Sequence, residues 1–261
     1  MKSGIALQPT LSGAGKVEAL DQTLFRLILP AQKKGYSNAQ LDDYAALSRN
    51  QFKWRPPLRF EIEARTSLAK PTGTLGFGFW NDPFSFSVGQ MGAARRIPAA
   101  PQTLWFFYSS PDNDIRLVPG VPGNGWKAAS LQTPNLHPIT LAPVAGMAMA
   151  LSNLPVLRKL MHRIITRIAK SSEAMLSHPI NEWHTYAIEW TAAGARFFVD
   201  GALALQTDQP PAGPLGFVTW IDNQYAVFSS SRGLRFGTLP TSNKQQLEVR
   251  NIIIDPRLHS A

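Results

Sequence analysis

The sequence predicts an all-β protein: two antiparallel sheets packed as a sandwich, with one amphipathic helix inserted between strands. Three observations carry this. Short runs rich in aromatic and β-branched residues recur along the chain, 21 prolines and 19 glycines fall mainly between those runs, and helical periodicity occurs in one stretch alone. At 261 residues, with 44% hydrophobic and 16% charged side chains, the chain is globular rather than disordered and long enough for one large core. A single domain over residues 1–261 is expected.

The strands follow in order. "LRFEIEART" (58–66) alternates Leu58, Phe60, Ile62 and Ala64 with Arg59, Glu61, Glu63 and Arg65, the period of a strand with one face buried and one in water. Glu61 and Glu63 accordingly read as part of a salt-paired outer face. "TLGFGFW" (74–80), "FSFSV" (84–88) and "TLWFFYSS" (103–110) come next. Then follow "WHTYAIEW" (183–190), "ARFFVDGALALQ" (195–206), "LGFVTWI" (215–221), "AVFSSS" (226–231) and "LEVRNIIID" (247–255). Asp200-Gly201 signals a tight hairpin, because the central residues of such a turn need positive φ.

Residues 142–176 break the pattern and are expected to form a helical insertion. Pro155 suits a first turn, and "PVLRKLMHRIITRIAK" (155–170) sets Val156, Leu157, Leu160, Met161, Ile164, Ile165, Ile168 and Ala169 on one half of a helical wheel. Arg158, Lys159, His162, Arg163, Thr166, Arg167 and Lys170 take the other half. The formal charge of +9 is concentrated here, since five cations fall within 158–170 and no acid does. Three roles are open to the helix. It packs its apolar half on the sandwich, or covers the cleft as a lid, or lies on an anionic membrane. Nucleic acid is not an expected partner, because no basic aromatic strand motif accompanies the helix.

Several chemistries are excluded by residues that are missing. The chain has no cysteine, which removes disulfides, zinc-thiolate sites and cysteine nucleophiles. Its five histidines form no metal-spaced pair, and no Gly-x-Ser-x-Gly elbow or phosphate loop occurs. No metal and no cofactor are expected. No apolar run reaches the ~18–20 residues that span a bilayer, and the N-terminal stretch lacks the apolar core of a secretory signal. The cytoplasm is the default expectation, with peripheral membrane attachment through 155–170 as its variant.

"EWHTYAIEWTAAGARFFVDG" makes the pattern specific. It resembles the family 16 glycoside hydrolases and the wider concanavalin A-like lectin/glucanase superfamily, which carry a Trp/Phe-His-x-Tyr-x-x-x-Trp strand followed by a hairpin ending in Val-Asp-Gly. "FEIEART…TLGFGFW" is similar to the preceding block of that family, and "LEVRNIIID" to its closing strand. The resemblance covers roughly residues 55–110 and 181–255 and implies a jelly-roll-like sandwich with a ligand cleft on its concave sheet. It also implies that Glu189 belongs to the strand consensus and is structural. The family's catalysis rests on a Glu-x-Asp-x-(x)-Glu strand, whose spacing points alternate acids into the cleft. In the matching place this chain has "TLWFFYSS", with no carboxylate to carry over.

The resemblance therefore implies a cleft without the usual glycosidase pair. Trp80, Asn81, Phe84 and Phe86 in "FWNDPFSF" are candidates for contact with a ligand. So are Trp220, Asn223 and Gln224 in "TWIDNQYAVF", together with Trp105, Phe107, Tyr108 and Trp126. Aromatic faces beside amides and acids suit a small-molecule or oligosaccharide ligand, because sugars offer apolar CH faces together with hydroxyls. The same residues suit a flat apolar molecule with one or two polar anchors. Two functions stay open: a binding protein, or an enzyme of another class, such as a cyclase, isomerase or lyase. In the second case Asp82, Asp222 or Tyr225 supplies the acid or base. Asp112, Asp114 and Asp200 read as turn residues.

Overall fold

The protein, as a computed structural model, is described over residues 5–83, 96–97, 99–134, 154 and 156–256. Seventeen strands among these residues, numbered in chain order, make three sheets. The first runs β1 (Gln8–Ser12), β4 (Asn38–Asp42), β14 (Gly216–Asp222), β6 (Thr74–Trp80), β7 (Thr103–Ser109), β9 (Gly125–Gln132) and β10 (Lys170–Met175). The second runs β13 (Ala202–Thr207), β12 (Ala195–Val199), β11 (His184–Trp190), β5 (Leu58–Thr66), β17 (Gln245–Asp255), β3 (Leu24–Leu29) and β2 (Lys16–Ala19). Every pairing in these two sheets is antiparallel. A small third sheet pairs β15 (Gln224–Ser229) with β16 (Gly233–Thr238) and, in parallel, with β8 (Asp114–Ile115).

The two large sheets form the expected sandwich, and alternation explains how. On β5, Leu58, Phe60, Ile62 and Ala64 are buried while the charged residues between them are not. Leu75, Phe77 and Phe79 of β6 and Leu104 and Phe106 of β7 meet them from the other sheet. Their rings touch across the core: Phe60 to Phe79 at 5.3 Å and Phe106 to Tyr186 at 5.0 Å, both edge-on. Such pairs contribute about 0.5–1.5 kcal/mol beyond burial alone.

Outside the second sheet the charges pair as the alternation implies. Arg59 meets Glu189 at 2.6 Å, Arg250 meets Glu63 at 2.6 Å, and Glu248 lies between Arg26 and Arg65 at 2.7 Å from each. The ring of Trp183 stands under Arg65 and Arg250. Glu61, Glu63 and Glu189 thus belong to the outer face of the sandwich. Asp200 and Gly201 turn β12 into β13 with φ of 49° and 79°, as a tight hairpin requires.

The helix spans Arg158–Ile168 and connects β9 to β10, two neighbouring strands of the first sheet. Residues 170–175 are the edge strand β10 rather than part of a helical insertion. Residues 142–153 and 155 of the expected insertion lie outside the described ones. The apolar half also does not face the sandwich as a unit. His162 stacks on Phe228 of β15 at 4.9 Å and bonds the Arg116 carbonyl, and Arg158 donates to the Ser231 carbonyl. These polar anchors rotate the helix, leaving Val156, Leu160, Ile164 and Ile168 exposed.

Candidate ligand cleft

The outward face of the first sheet is the floor of a cleft. The register fixes which residues share it: Trp105 of β7 stands opposite Gly78 of β6 and Ala129 of β9, and Phe107 opposite Gly76 and Lys127. Trp220 of β14 stands opposite Gly76 on one side and Gln40 of β4 on the other. Trp80, Trp105, Phe107 and Trp220 accordingly converge, although they come from three strands. Trp220 lies near parallel to Trp80 at 6.5 Å and stacks with Phe107 at 6.1 Å, while Trp105 leans over it at 5.3 Å.

Gly76 allows this arrangement. A side chain there would point to the cleft, and its Cβ would lie 2.8 Å from the Trp220 ring and 2.4 Å from the Phe106 carbonyl. The indoles are held by their N–H groups: Trp80 Nε1 donates to the Tyr44 hydroxyl and Trp220 Nε1 to Thr74 Oγ1. The N–H edges of these two rings are thereby satisfied by the protein; Trp220 is itself buried under its neighbours, and the half-buried Trp80, Trp105 and Phe107 are the rings left partly open to the cleft.

Polar groups border the aromatic floor on both flanks. On one side stand Ser12, Tyr36, Asn38, Gln40, Asp222, Gln224 and Tyr225; on the other stands Glu173 of β10. Thr74 Oγ1 and the Gln224 N–H donate to Asp222 Oδ1 at 2.8 and 3.1 Å. Burial nevertheless pushes its carboxyl up to about 6. Burial, and then the charge of Asp222, raise the phenol of Tyr36. Glu173 pairs with Lys127 at 3.5 Å, and burial drives both toward their neutral forms, the acid up and the amine down.

Asp82 lines the cleft at its far end but meets the buried Arg96 at 2.5 Å. Arg96 also donates to the carbonyls of Tyr44, Ala45 and Leu47. This carboxylate is tied into the corner that supports Trp80. The separations of the cleft acids follow from register. Asp222 pairs with Thr74, and Asp82 lies eight residues further along, beyond the end of the strand at Trp80, so roughly 26 Å of extended chain separates them. Glu173 pairs into the row of Ala129, Trp105, Gly78 and Val218, so it lies four strands across and four residues along from Asp222, roughly 23 Å, and three strands across and four residues along from Asp82, roughly 20 Å. Residues 84–95 and 135–153 contain neither Asp nor Glu.

Of the residues singled out in the sequence, Trp80, Trp105, Phe107, Trp220, Gln224, Tyr225, Asp82 and Asp222 line this cleft. Four others do not. Tyr108 and Trp126 point inward, because they have the opposite parity to Trp105 and Phe107; Tyr108 donates to the Pro71 carbonyl and Trp126 to His178. Asn81 and Asn223 are loop staples, Asn81 on Ala100 and Gln102, Asn223 on Gly35, Ser37 and Leu239. Phe84 and Phe86 lie outside the described residues. Tyr36, Asn38, Gln40, Tyr44 and Glu173 join the site without having been singled out. Among the described residues no group of three or more His, Cys, Asp or Glu is placed to hold a metal ion.

No family model matches the chain, and no curated protein matches it significantly. Among solved structures it is similar to LamAcat from Zobellia galactanivorans, at 12% identity and a TM-score of 0.46 over 95% of this chain and 90% of that one. It is also similar to an endo-1,3-β-glucanase (laminarinase) catalytic domain from Thermotoga petrophila, at 12% identity, TM-score 0.43, over 91% and 82%. A carbohydrate-binding module from Bacillus subtilis is similar at 7% identity, TM-score 0.43, over 98% of each chain. The fold stands on the strand order and register above.

Proposed function

We propose that the cleft binds a carbohydrate, stacking a sugar ring on the faces of Trp105, Phe107 and Trp80, and does not hydrolyse it by a carboxylate pair. The observation that carries this reading is the floor itself. Where the family resemblance would put paired acids, β7 presents Thr103, Trp105 and Phe107 to the cleft. A retaining glycosidase needs its carboxyl groups about 5–5.5 Å apart and an inverting one about 6.5–9.5 Å. The register separations of the three cleft acids support holding over cleaving. Asn38, Gln40, Gln224 and Asp222 are of the kinds that pair with ring hydroxyls, and the indoles of Trp80 and Trp220 are already held by hydrogen bonds before a guest arrives.

Screening the intact protein on an oligosaccharide array tests this, with Trp105→Ala and Phe107→Ala beside it. Losing one stacked ring should weaken binding about tenfold, from about 1.5 kcal/mol of aromatic contact. Retention of the same glycans at the same strength by both variants contradicts the assignment.

One observation favours a second reading. A buried carboxyl held near pH 6 beside a tyrosine in a cleft is the arrangement that general acid–base catalysis uses. In that reading Asp222 shuttles a proton, with Tyr36 or Tyr225 as its partner, on a ring-shaped substrate of a lyase, isomerase or cyclase. Turnover that disappears in Asp222→Asn while binding persists separates this function from binding alone.

A further inference from the structure

The helix Arg158–Ile168 shows water a face that water does not favour. Leu160, Ile164 and Ile168, each four residues on from the last, are 48%, 37% and 52% exposed, and Val156 in the turn before the helix is 90% exposed. At about 100° per residue, Leu160, Ile164 and Ile168 occupy one side of the exposed half of the helix. Lys159, Arg163, Arg167 and Lys170, all exposed, occupy the adjoining side. The stretch from Leu154 to Ser172 contains no acid. An apolar ridge beside a cationic one is the form of a helix that lies in a lipid interface, with aliphatic residues below the headgroups and cations level with anionic lipid. No helix among the described residues is long and apolar enough to cross a membrane.

Position adds a second argument. The helix rests on the face of the small sheet that carries Phe228. By strand alternation that face also carries Ala226, Ile115 and Phe236. Ala226 and Ile115 line the cleft, and Phe236 is 71% exposed. The helix and an exposed phenylalanine therefore share the face of the small sheet that borders the cleft.

We propose that this helix seats the protein on an anionic lipid surface, with the cleft mouth held beside the headgroups. Charge decides for lipid over a second copy of the chain: two such helices would bring their cations together, whereas an anionic bilayer matches them, each Lys or Arg near it adding about 1 kcal/mol. The proposal does not depend on what the cleft binds.

Co-sedimentation of the full chain with vesicles tests it, using phosphatidylcholine alone or mixed with phosphatidylglycerol. The protein should sediment with the mixed vesicles and stay in solution with the neutral ones. Arg163→Glu with Arg167→Glu should weaken sedimentation at least tenfold. Leu160→Ser with Ile164→Ser and Ile168→Ser should weaken it as strongly, with circular dichroism unchanged. Equal binding to neutral vesicles, or indifference to both variants, overturns the proposal. So does a concentration-dependent dimer that only the serine variant abolishes, which assigns the ridge to a second copy. Shielding of Leu160 and Ile164 from hydroxyl-radical labelling in the free protein also overturns it, because the chain's own residues would then cover the ridge.

Discussion

Asp222 sits where β14, the small sheet and the cleft meet, and burial holds its carboxyl at about 6 against 3.8 for an unperturbed aspartate. A raised folded-state value means that the folded protein keeps a proton which the unfolded chain has released. The resulting stabilisation is full below about pH 4 and is lost as pH rises through 6. Asp222→Asn should therefore raise the melting temperature at pH 7, by about 2–3 kcal/mol of stability, and change it little at pH 4. Thermal melts across that range check it; a variant less stable at pH 7 contradicts it. Asp222 and its neighbour Trp220 were legible because "TWIDNQ" combines strand parity with polar groups. The tie of Asp82 to Arg96 was not legible, since the two are joined by folding across a loop. Gln40 was missed because "NAQLD" has too few apolar residues to read as a strand, and Tyr44 because it lies in the loop after that strand.

Strand β6 shows how an element shapes the site through what it lacks. Its cleft face carries Gly76 and Gly78, and the empty space above them is filled by rings from β7 and β14. Gly76→Ala should cost about 1–3 kcal/mol by overpacking and displace Trp220. A lower melting temperature with altered tryptophan fluorescence is the expected result; an unchanged spectrum contradicts the packing described. The runs at 58–66, 74–80, 103–110 and 183–190 were readable because their periodicity is strong. Strands β1 to β4, β8 to β10 and β16 were not: "KVEA" and "KSSEAM" are short or polar and are strands only by pairing with neighbours, and "LFRLIL" of β3 is apolar without alternation. The helix was legible as a helix, but not its rotation, which His162 and Arg158 set through contacts distant in sequence.

Across the sandwich, a second group opposes Asp222. His178 is lowered from 6.5 to about 4, first by burial and then by the charge of His184. Trp126 and Tyr186 both bond its Nε2. The unfolded chain takes the proton first, so stability falls as pH drops from 6.5 toward 4, whereas the contribution of Asp222 grows over nearly the same interval. Replacing His178 by Gln should reduce the acid sensitivity of the fold, and replacing Asp222 by Asn should increase it. Parallel stability–pH curves for the two variants contradict this opposition. The fold class and the face of the sandwich that carries the aromatic cleft were readable from the chain because both rest on alternation. Tyr108 and Trp126 were misplaced by the same logic, since parity must be counted from a known partner.

Isothermal titration of the intact protein with β-glucan oligosaccharides, with the cell contents then assayed for new reducing ends, tests the aromatic floor most directly. The predicted result is saturable binding that weakens about tenfold in Trp105→Ala, with no reducing ends released by either protein. Steady release of reducing ends by the wild type, or equal binding by Trp105→Ala, contradicts it.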